Sequence, residues 1–276
     1  MTAIIAIDDP DDPRIAAYRD IRERDLVGRE RLFIAEGEVV LRMLLRRSLH
    51  PAVSLLIDER RLPALAGLMA DVPDDVPIHS APQPVLDRIA GFPLHRGILA
   101  VGRRAALPDA AALLGDAGEQ AIAVVLCGIA NHDNMGGIFR NAAAFGASAV
   151  ILDSDCCDPL YRKAIRVSVG AALTVPFARL GRGEDAAALL AAHGFEALAL
   201  SPAGAARLSD VVVPGRVAAV FGSEGPGLPA ALLARTRTVR IAMAGEIDSL
   251  NVATASGIVL HHLAANREAP ETAAGA

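Results

Sequence analysis

The sequence predicts an α/β protein in two parts: a smaller N-terminal α/β domain, and a larger C-terminal domain built on a mostly parallel sheet. Three observations lead there. From residue 122 onward, short apolar runs alternate with helix-length segments, the pattern of a parallel sheet with helices on both faces. Residues 102–119 are rich in Ala, Gly and Pro and interrupt the pattern. They divide the chain into a first domain at 1–104, a linker at 105–119, a second domain at 120–267 and a small polar tail at 268–276. Three glycine-bearing segments in the second part each stand where a strand would pass into a helix.

In the first domain, residues 32–34 read as a short strand. Residues 38–47 read as a helix, with Val39, Val40, Met43 and Leu44 on its apolar face. A strand follows at 53–57, a helix at 63–70 that Pro73 ends, a short helix at 85–90 and a strand at 97–101. Arg103 and Arg104 open the linker stretch, which has room for a turn or two of helix. In the second domain the expected strands are 122–127, 149–153, 173–177, 196–200, 217–221 and 238–241. The expected helices are 135–145, 160–169, 184–193, 229–234 and 250–265, with Gly146 and Gly194 at positions where C-caps favour glycine.

Composition excludes several function classes. At 276 residues with 53% hydrophobic content the chain can bury a sizeable core, yet aromatics are only 3% and Trp is absent, so aliphatic side chains must fill it. The net charge of −5 announces no nucleic-acid partner. Arginine nevertheless clusters at Arg22, Arg24, Arg29 and Arg31, and again at Arg42, Arg46 and Arg47. Arg42 and Arg46 are four apart and share a helix face, which suits either phosphates or plain solvent. Three cysteines, two of them adjacent, make neither a disulfide framework nor a zinc knuckle. Seven scattered histidines give no metal site, since adjacent His261 and His262 cannot both face one ion. The acidic N-terminus is no signal peptide, and no uncharged apolar run spans a bilayer, so a cytoplasmic protein without a membrane partner is expected.

The three junctions carry the chemistry. In the first, Asn134 precedes a helix and sits where an N-cap would, with Gly136 and Gly137 leaving room for a ligand or another backbone, and Arg140 off the Ile138/Ala142/Phe145 face. The second is Phe221-Gly222-Ser223-Glu224-Gly225-Pro226-Gly227. It lacks the order of a dinucleotide fingerprint, and a P-loop is impossible because the single lysine, Lys163, follows Arg162. What remains is a strand-end loop of bare backbone with one carboxylate, Glu224. In the third, Ser249 is placed to cap a buried apolar helix from Leu250, and Asn251 in its first turn needs polar partners.

In this order the segments resemble the three motifs of the SpoU-type, or TrmH-type, RNA 2'-O-ribose methyltransferases of the SPOUT superfamily. Asn134 and Arg140 match the first motif, Glu224 the second, and Ser249-Leu250-Asn251-Val252 the third. The likeness runs from about Ile122 to Leu263; Ala242 stands where proline is usual and Asn141 where threonine is common. The resemblance implies a C-terminal domain tied in a trefoil knot, with S-adenosylmethionine as methyl donor. The family's donor contacts carry over to Leu200, Gly222, Ile241 and Leu250, and its catalytic set to Asn134, Arg140, Glu224, Ser249 and Asn251. It also implies a homodimer acting on rRNA or tRNA without a metal. Residues Phe33-Ile34-Ala35-Glu36-Gly37 resemble the start of the L30e-like substrate-binding domain that many members carry, which would put Arg42, Arg46 and Arg47 toward RNA. A base-modifying enzyme of the same superfamily and a non-catalytic RNA binder remain as alternatives.

Overall fold

The computed structural model describes residues 3–19, 23–91, 94, 96–212, 215–244 and 249–268. In chain order they form β1 (Ile4–Ala6), α1 (Glu23–Gly28), β2 (Leu32–Glu36), α2 (Glu38–Arg46), β3 (Ala52–Asp58), α3 (Leu62–Met69), β4 (Ile78–Ala81), α4 (Gln83–Ala90) and β5 (Ile98–Arg103). Next come α5 (Ala110–Gly115), β6 (Ile122–Cys127), α6 (His132–Ala144), β7 (Ala149–Leu152), α7 (Arg162–Val167), β8 (Phe177–Arg179) and α8 (Ala186–Ala192). The chain closes with β9 (Glu196–Leu200), β10 (Ala206–Arg207), β11 (Val217–Gly222), α9 (Ala230–Leu233), β12 (Arg237–Arg240) and α10 (Val252–Glu268). Among them no helix is long and apolar enough to cross a membrane.

The chain divides into two compact units. The first comprises Met1–Ala106 together with Asp158–Thr174. Its sheet runs in the order β1-β4-β3-β5-β2, with β5 antiparallel to both its neighbours and the other pairs parallel. Its core gathers Ile15, Tyr18, Leu56, Leu86 and Val101, and the buried Tyr18 hydroxyl finds Ser54 Oγ at 2.7 Å. Residues 158–174 join this unit through polar contacts. Glu36, at the end of β2 and 7% exposed, accepts from Arg162 Nε at 3.0 Å and lies 3.6 Å from Arg166. The Leu49 N–H donates to Leu173 O at 2.9 Å.

The second unit comprises Leu107–Cys157 and Val175–Ala276. Its sheet runs β10-β12-β9-β11-β6-β7-β8 and every neighbouring pair is parallel. Uninterrupted apolar runs such as Ile122–Cys127 and Val217–Gly222 are what strands covered on both faces require, and both are buried except at the last residue. The chain returns twice to fill gaps between strands already laid down: β11 enters between β9 and β6, and β12 between β10 and β9. These insertions bring the ends of β6, β11 and β12 to one side of the sheet. The expected linker at 105–119 carries α5, capped by Asp109 and anchored by the fully buried Leu114.

Several expectations need correction. The strand placed at 173–177 begins at Phe177, because left-handed Gly170 (φ 85°) leads into a 3-10 turn at Ala171–Leu173 that buries all three residues. The helix placed at 160–169 is shorter, Arg162–Val167, and Val169 is left-handed (φ 55°). Strands β1, β4 and β10 gave too short an apolar signal to be read. The last helix continues to Glu268, where Asn266 Nδ2 and Arg267 bond the carbonyls of Val211 and Gly215. The rest of the expected tail, Arg22, and residues 245–248 of the third segment on the expected knotted stretch lie outside the described residues.

Candidate active site

The three junctions meet at the carboxyl ends of β6, β11 and β12, where open parallel sheets generally bind ligands. After β6 the chain turns at Gly128 (φ 67°), whose N–H donates to Asp153 Oδ2 at 2.8 Å. Asn131, not Asn134, then caps α6: its Oδ1 accepts from the N–H groups of Asp133 (2.7 Å) and Asn134 (3.4 Å). The helix therefore starts earlier than expected, and Asn134 lies inside its first turn with its side chain free of capping. It is 7% exposed and donates from Nδ2 to Glu224 Oε1 at 2.9 Å.

At the second junction the loop folds back on its strand. Ser223 and Gly227 form an antiparallel bridge, and Gly225 and Gly227 take φ of 87° and 69°. Gly222 is required by close approach: a Cβ there would stand 2.4–2.6 Å from the backbone of Gly227 and Leu228. The fold-back presents Glu224 at the loop tip.

At the third junction the cap is Asn251, not Ser249, and α10 begins at Val252. Asn251 Oδ1 accepts from the N–H groups of Ala253 (2.9 Å) and Thr254 (3.3 Å). Both hydrogens of its Nδ2 are used, one toward Asn134 Oδ1 (2.8 Å) and one toward Glu224 Oε1 (3.1 Å). Asn134, Glu224 and Asn251, one from each junction, thus close a three-membered hydrogen-bonded ring.

Beside the ring lies a cavity of about 290 Å³. All four residues expected to meet a donor, Leu200, Gly222, Ile241 and Leu250, line it, as do Glu224 and Ser249. Ser201, Pro202, Met243, Val252 and Ala255 complete much of the remaining wall. The first two follow β9, a strand end with no glycine signature to mark it. Apolar side chains, bare glycine backbone and a few hydroxyls suit a ligand with a flat apolar part and a polar part, so these residues fit an adenosyl group carrying an amino-acid tail.

Arg140 is not brought to this cavity. It is exposed, makes no hydrogen bond or ion pair among the described residues, and stands six positions beyond Asn134, with about 120° between their directions around the helix. In the first unit, Arg42 reaches Glu38 at 3.1 Å and Arg46 reaches Asp71 at 2.7 Å, while Arg47 is exposed. Cys127 and Cys156, near the first junction, are poor nucleophiles, since burial and then the Asp153 carboxylate push each thiol up to about 12.

Comparison with known proteins shows what the chain is similar to. The family model described as SpoU rRNA Methylase matches residues 121–261. An uncharacterized tRNA/rRNA methyltransferase of Mycobacterium bovis is 41% identical over 262 residues, covering 92% of this chain and 89% of that protein. Among solved structures, an AdoMet-bound rRNA methyltransferase of Sinorhizobium meliloti superposes with a TM-score of 0.78 at 23% identity, covering 97% of this chain and 99% of its own. A structure described as an RNA 2'-O ribose methyltransferase gives 0.76 at 23% identity, covering 96% and 99%. At such identity these two structures establish likeness of fold.

Proposed function

The chain belongs to the SpoU rRNA methylase family, and on that premise we propose that it methylates the ribose 2'-hydroxyl of a nucleotide in structured rRNA or tRNA. The coarser reading, an S-adenosylmethionine-dependent methyltransferase of RNA, follows from the family and from a donor-bound structure of the same fold. The observation that carries the ribose reading is the ring of Asn134, Glu224 and Asn251, with Glu224 belonging both to the ring and to the cavity wall.

When bound, the donor supplies a methyl group on a sulfonium, ready for attack by an oxygen nucleophile. The residues of the chain then have to orient that oxygen and manage its charge. Glu224 Oε1 is held by two amides, which fixes the carboxylate, and Oε2 remains to accept from an incoming hydroxyl. Ser249 offers a second hydroxyl partner in the cavity wall. Guanidinium is a cation with a planar fork of donors, so the part of Arg140 is to hold the phosphate beside the target ribose and to offset negative charge developing on the oxygen. The proton leaves to that phosphate or to water.

Since Arg140 stands outside the cavity wall of its own chain, the reading includes a homodimer in which a second copy completes the site. Exposed apolar side chains, Leu250 at 38% at the third junction and Ile258 at 40% further along α10, support such a surface. The first unit, with Arg47 and the arginines around it, is proposed to hold the RNA.

Calorimetric titration with S-adenosylmethionine, followed by methyl incorporation into total RNA and nucleoside analysis, tests this reading. One donor site per chain and a 2'-O-methyl nucleoside are expected. A base-methylated product would move the chain to the base-modifying class, and absence of donor binding would leave an RNA-binding protein of this fold. Light scattering that finds a monomer at micromolar concentration would contradict the shared site.

A further inference from the structure

α6 and α10 pack side by side, and their contacts climb both helices together. Asn134 meets Asn251, and a Cβ on Gly137 would stand 2.7 Å from the Cβ of Ala253. Asn141 donates from Nδ2 to Ala253 O at 2.7 Å and to Ser256 Oγ at 2.9 Å. Phe145 stands edge-on to His261, ring centroids 5.6 Å apart.

At Gly137 and Ala253 the seam is glycine against a small side chain, which brings the helices close but resists sliding poorly. Asn141 is the contact in it that grips the backbone of α10. The surroundings are shaped for that grip: a Cβ on Gly257 would lie 3.3 Å from Asn141 Nδ2, and Ser256 is fully buried with its Oγ bonded to Ala253 O at 2.8 Å. A polar contact within an apolar helix seam is a known way to fix register.

The turn held in this way serves the site on two sides. Asn251 at its start closes the ring, while Val252 and Ala255 face the cavity. A slip of α10 along α6 would open the ring and move the cavity wall in one motion.

We propose that Asn141 is a positioning residue that sets the register of α10 on α6 and so holds Asn251 in the ring and Val252 and Ala255 in the donor cavity. The proposal rests on reading that cavity as the methyl-donor site.

The test uses the full chain and S-adenosylhomocysteine as calorimetric probe, with kcat and RNA affinity measured alongside. Asn141→Ala should weaken the probe and lower kcat by on the order of tenfold, leaving the affinity for RNA unchanged, because small misplacements at a reacting centre cost rate steeply. Gly137→Ala reaches the same seam without touching a hydrogen bond and should show the same pair of defects. Adding Ala253→Gly makes room for the new methyl and should restore both. A folded Asn141→Ala whose probe affinity and kcat stay within about twofold of the parent would overturn the proposal. So would a Gly137→Ala/Ala253→Gly pair no better than Gly137→Ala alone. Hydrogen exchange separates this proposal from the donor reading: residues 253–257 should exchange faster in Asn141→Ala even if the parent chain binds no probe, and unchanged exchange there would refute the register role.

Discussion

Asn251 carries two loads, and replacing it by aspartate separates them. Its Oδ1 caps α10, and its Nδ2 holds Asn134 and Glu224. Asn251→Asp keeps a good cap but loses both donated hydrogen bonds and sets a second carboxylate against Glu224, at a spacing near the present 3.1 Å. Two like charges at that distance repel by about 1 kcal/mol in water and about 5 kcal/mol at an effective dielectric of 20. Glu224 is exposed, so roughly 1–2 kcal/mol applies. The buried Asn134 Oδ1 loses its donor, which adds about 1 kcal/mol. At pH 7 the variant should therefore be destabilised by roughly 2–3 kcal/mol.

The sign of the pH dependence follows. Repulsion between the two carboxylates disfavours the fold only while both are charged, so the variant's deficit is smallest at low pH and grows as pH rises through the carboxylate range. Relative to the parent chain, Asn251→Asp should regain about 1–2 kcal/mol between pH 7 and pH 4. Asn251→Ala, which loses cap and ring alike, should show a deficit that does not change with pH. Hydrogen exchange of α6 and α10, measured from pH 4 to pH 7 and corrected for intrinsic rates, reads this directly. An Asp variant with no more deficit at pH 7 than at pH 4 would refute the ring.

Gly222→Ala puts a methyl 2.4–2.6 Å from the backbone of the 223–228 loop; about 1–3 kcal/mol of destabilisation and loss of donor binding are expected, read by urea unfolding and calorimetry. His50 is buried, its Nδ1 accepts from the Ala105 N–H at 3.2 Å, and burial, then the nearby Arg104, lower its pKa to about 4. Its neutral form therefore adds stability above the unfolded value near 6.5 that is lost as pH falls toward about 4, about 3 kcal/mol in all; His50→Gln should flatten that part of the stability profile. Changing Arg42, Arg46 and Arg47 together to Ala should reduce the log–log salt slope of RNA binding by about 0.7–0.9 for each phosphate no longer neutralised, and an unchanged slope would place RNA elsewhere.

The parts of the fold that could be read from sequence were those whose signal is local. Apolar runs long enough to be buried on both faces, as in β6 and β11, announced a parallel sheet. Glycines at strand ends announced the junctions. The caps were misread because capping chemistry alone does not choose between two candidates in one short stretch. Asn131 and Asn134 both qualify at the first junction, and Ser249 and Asn251 at the third; the backbone conformation before the helix decides. β8 was shifted because Thr174 and Val175 look strand-like while Gly170 turns the chain just before them. Asn141 stood out in the sequence only as a departure from threonine, because its partners, Ala253 and Ser256, lie more than a hundred residues away, and such a contact exists only once both helices are packed. Residues 158–174 sit inside a regular strand–helix alternation, so nothing local marks them as part of the first unit.

The central claim is that the ring of Asn134, Glu224 and Asn251 serves a ribose oxygen. Once the RNA substrate is identified, replacing its target nucleotide alone by the 2'-deoxy form removes the acceptor atom and leaves base and neighbouring phosphates in place. Binding of the deoxy substrate should persist within a few-fold while methyl incorporation disappears. Undiminished incorporation into the deoxy substrate would contradict the account and assign the methyl group to a base.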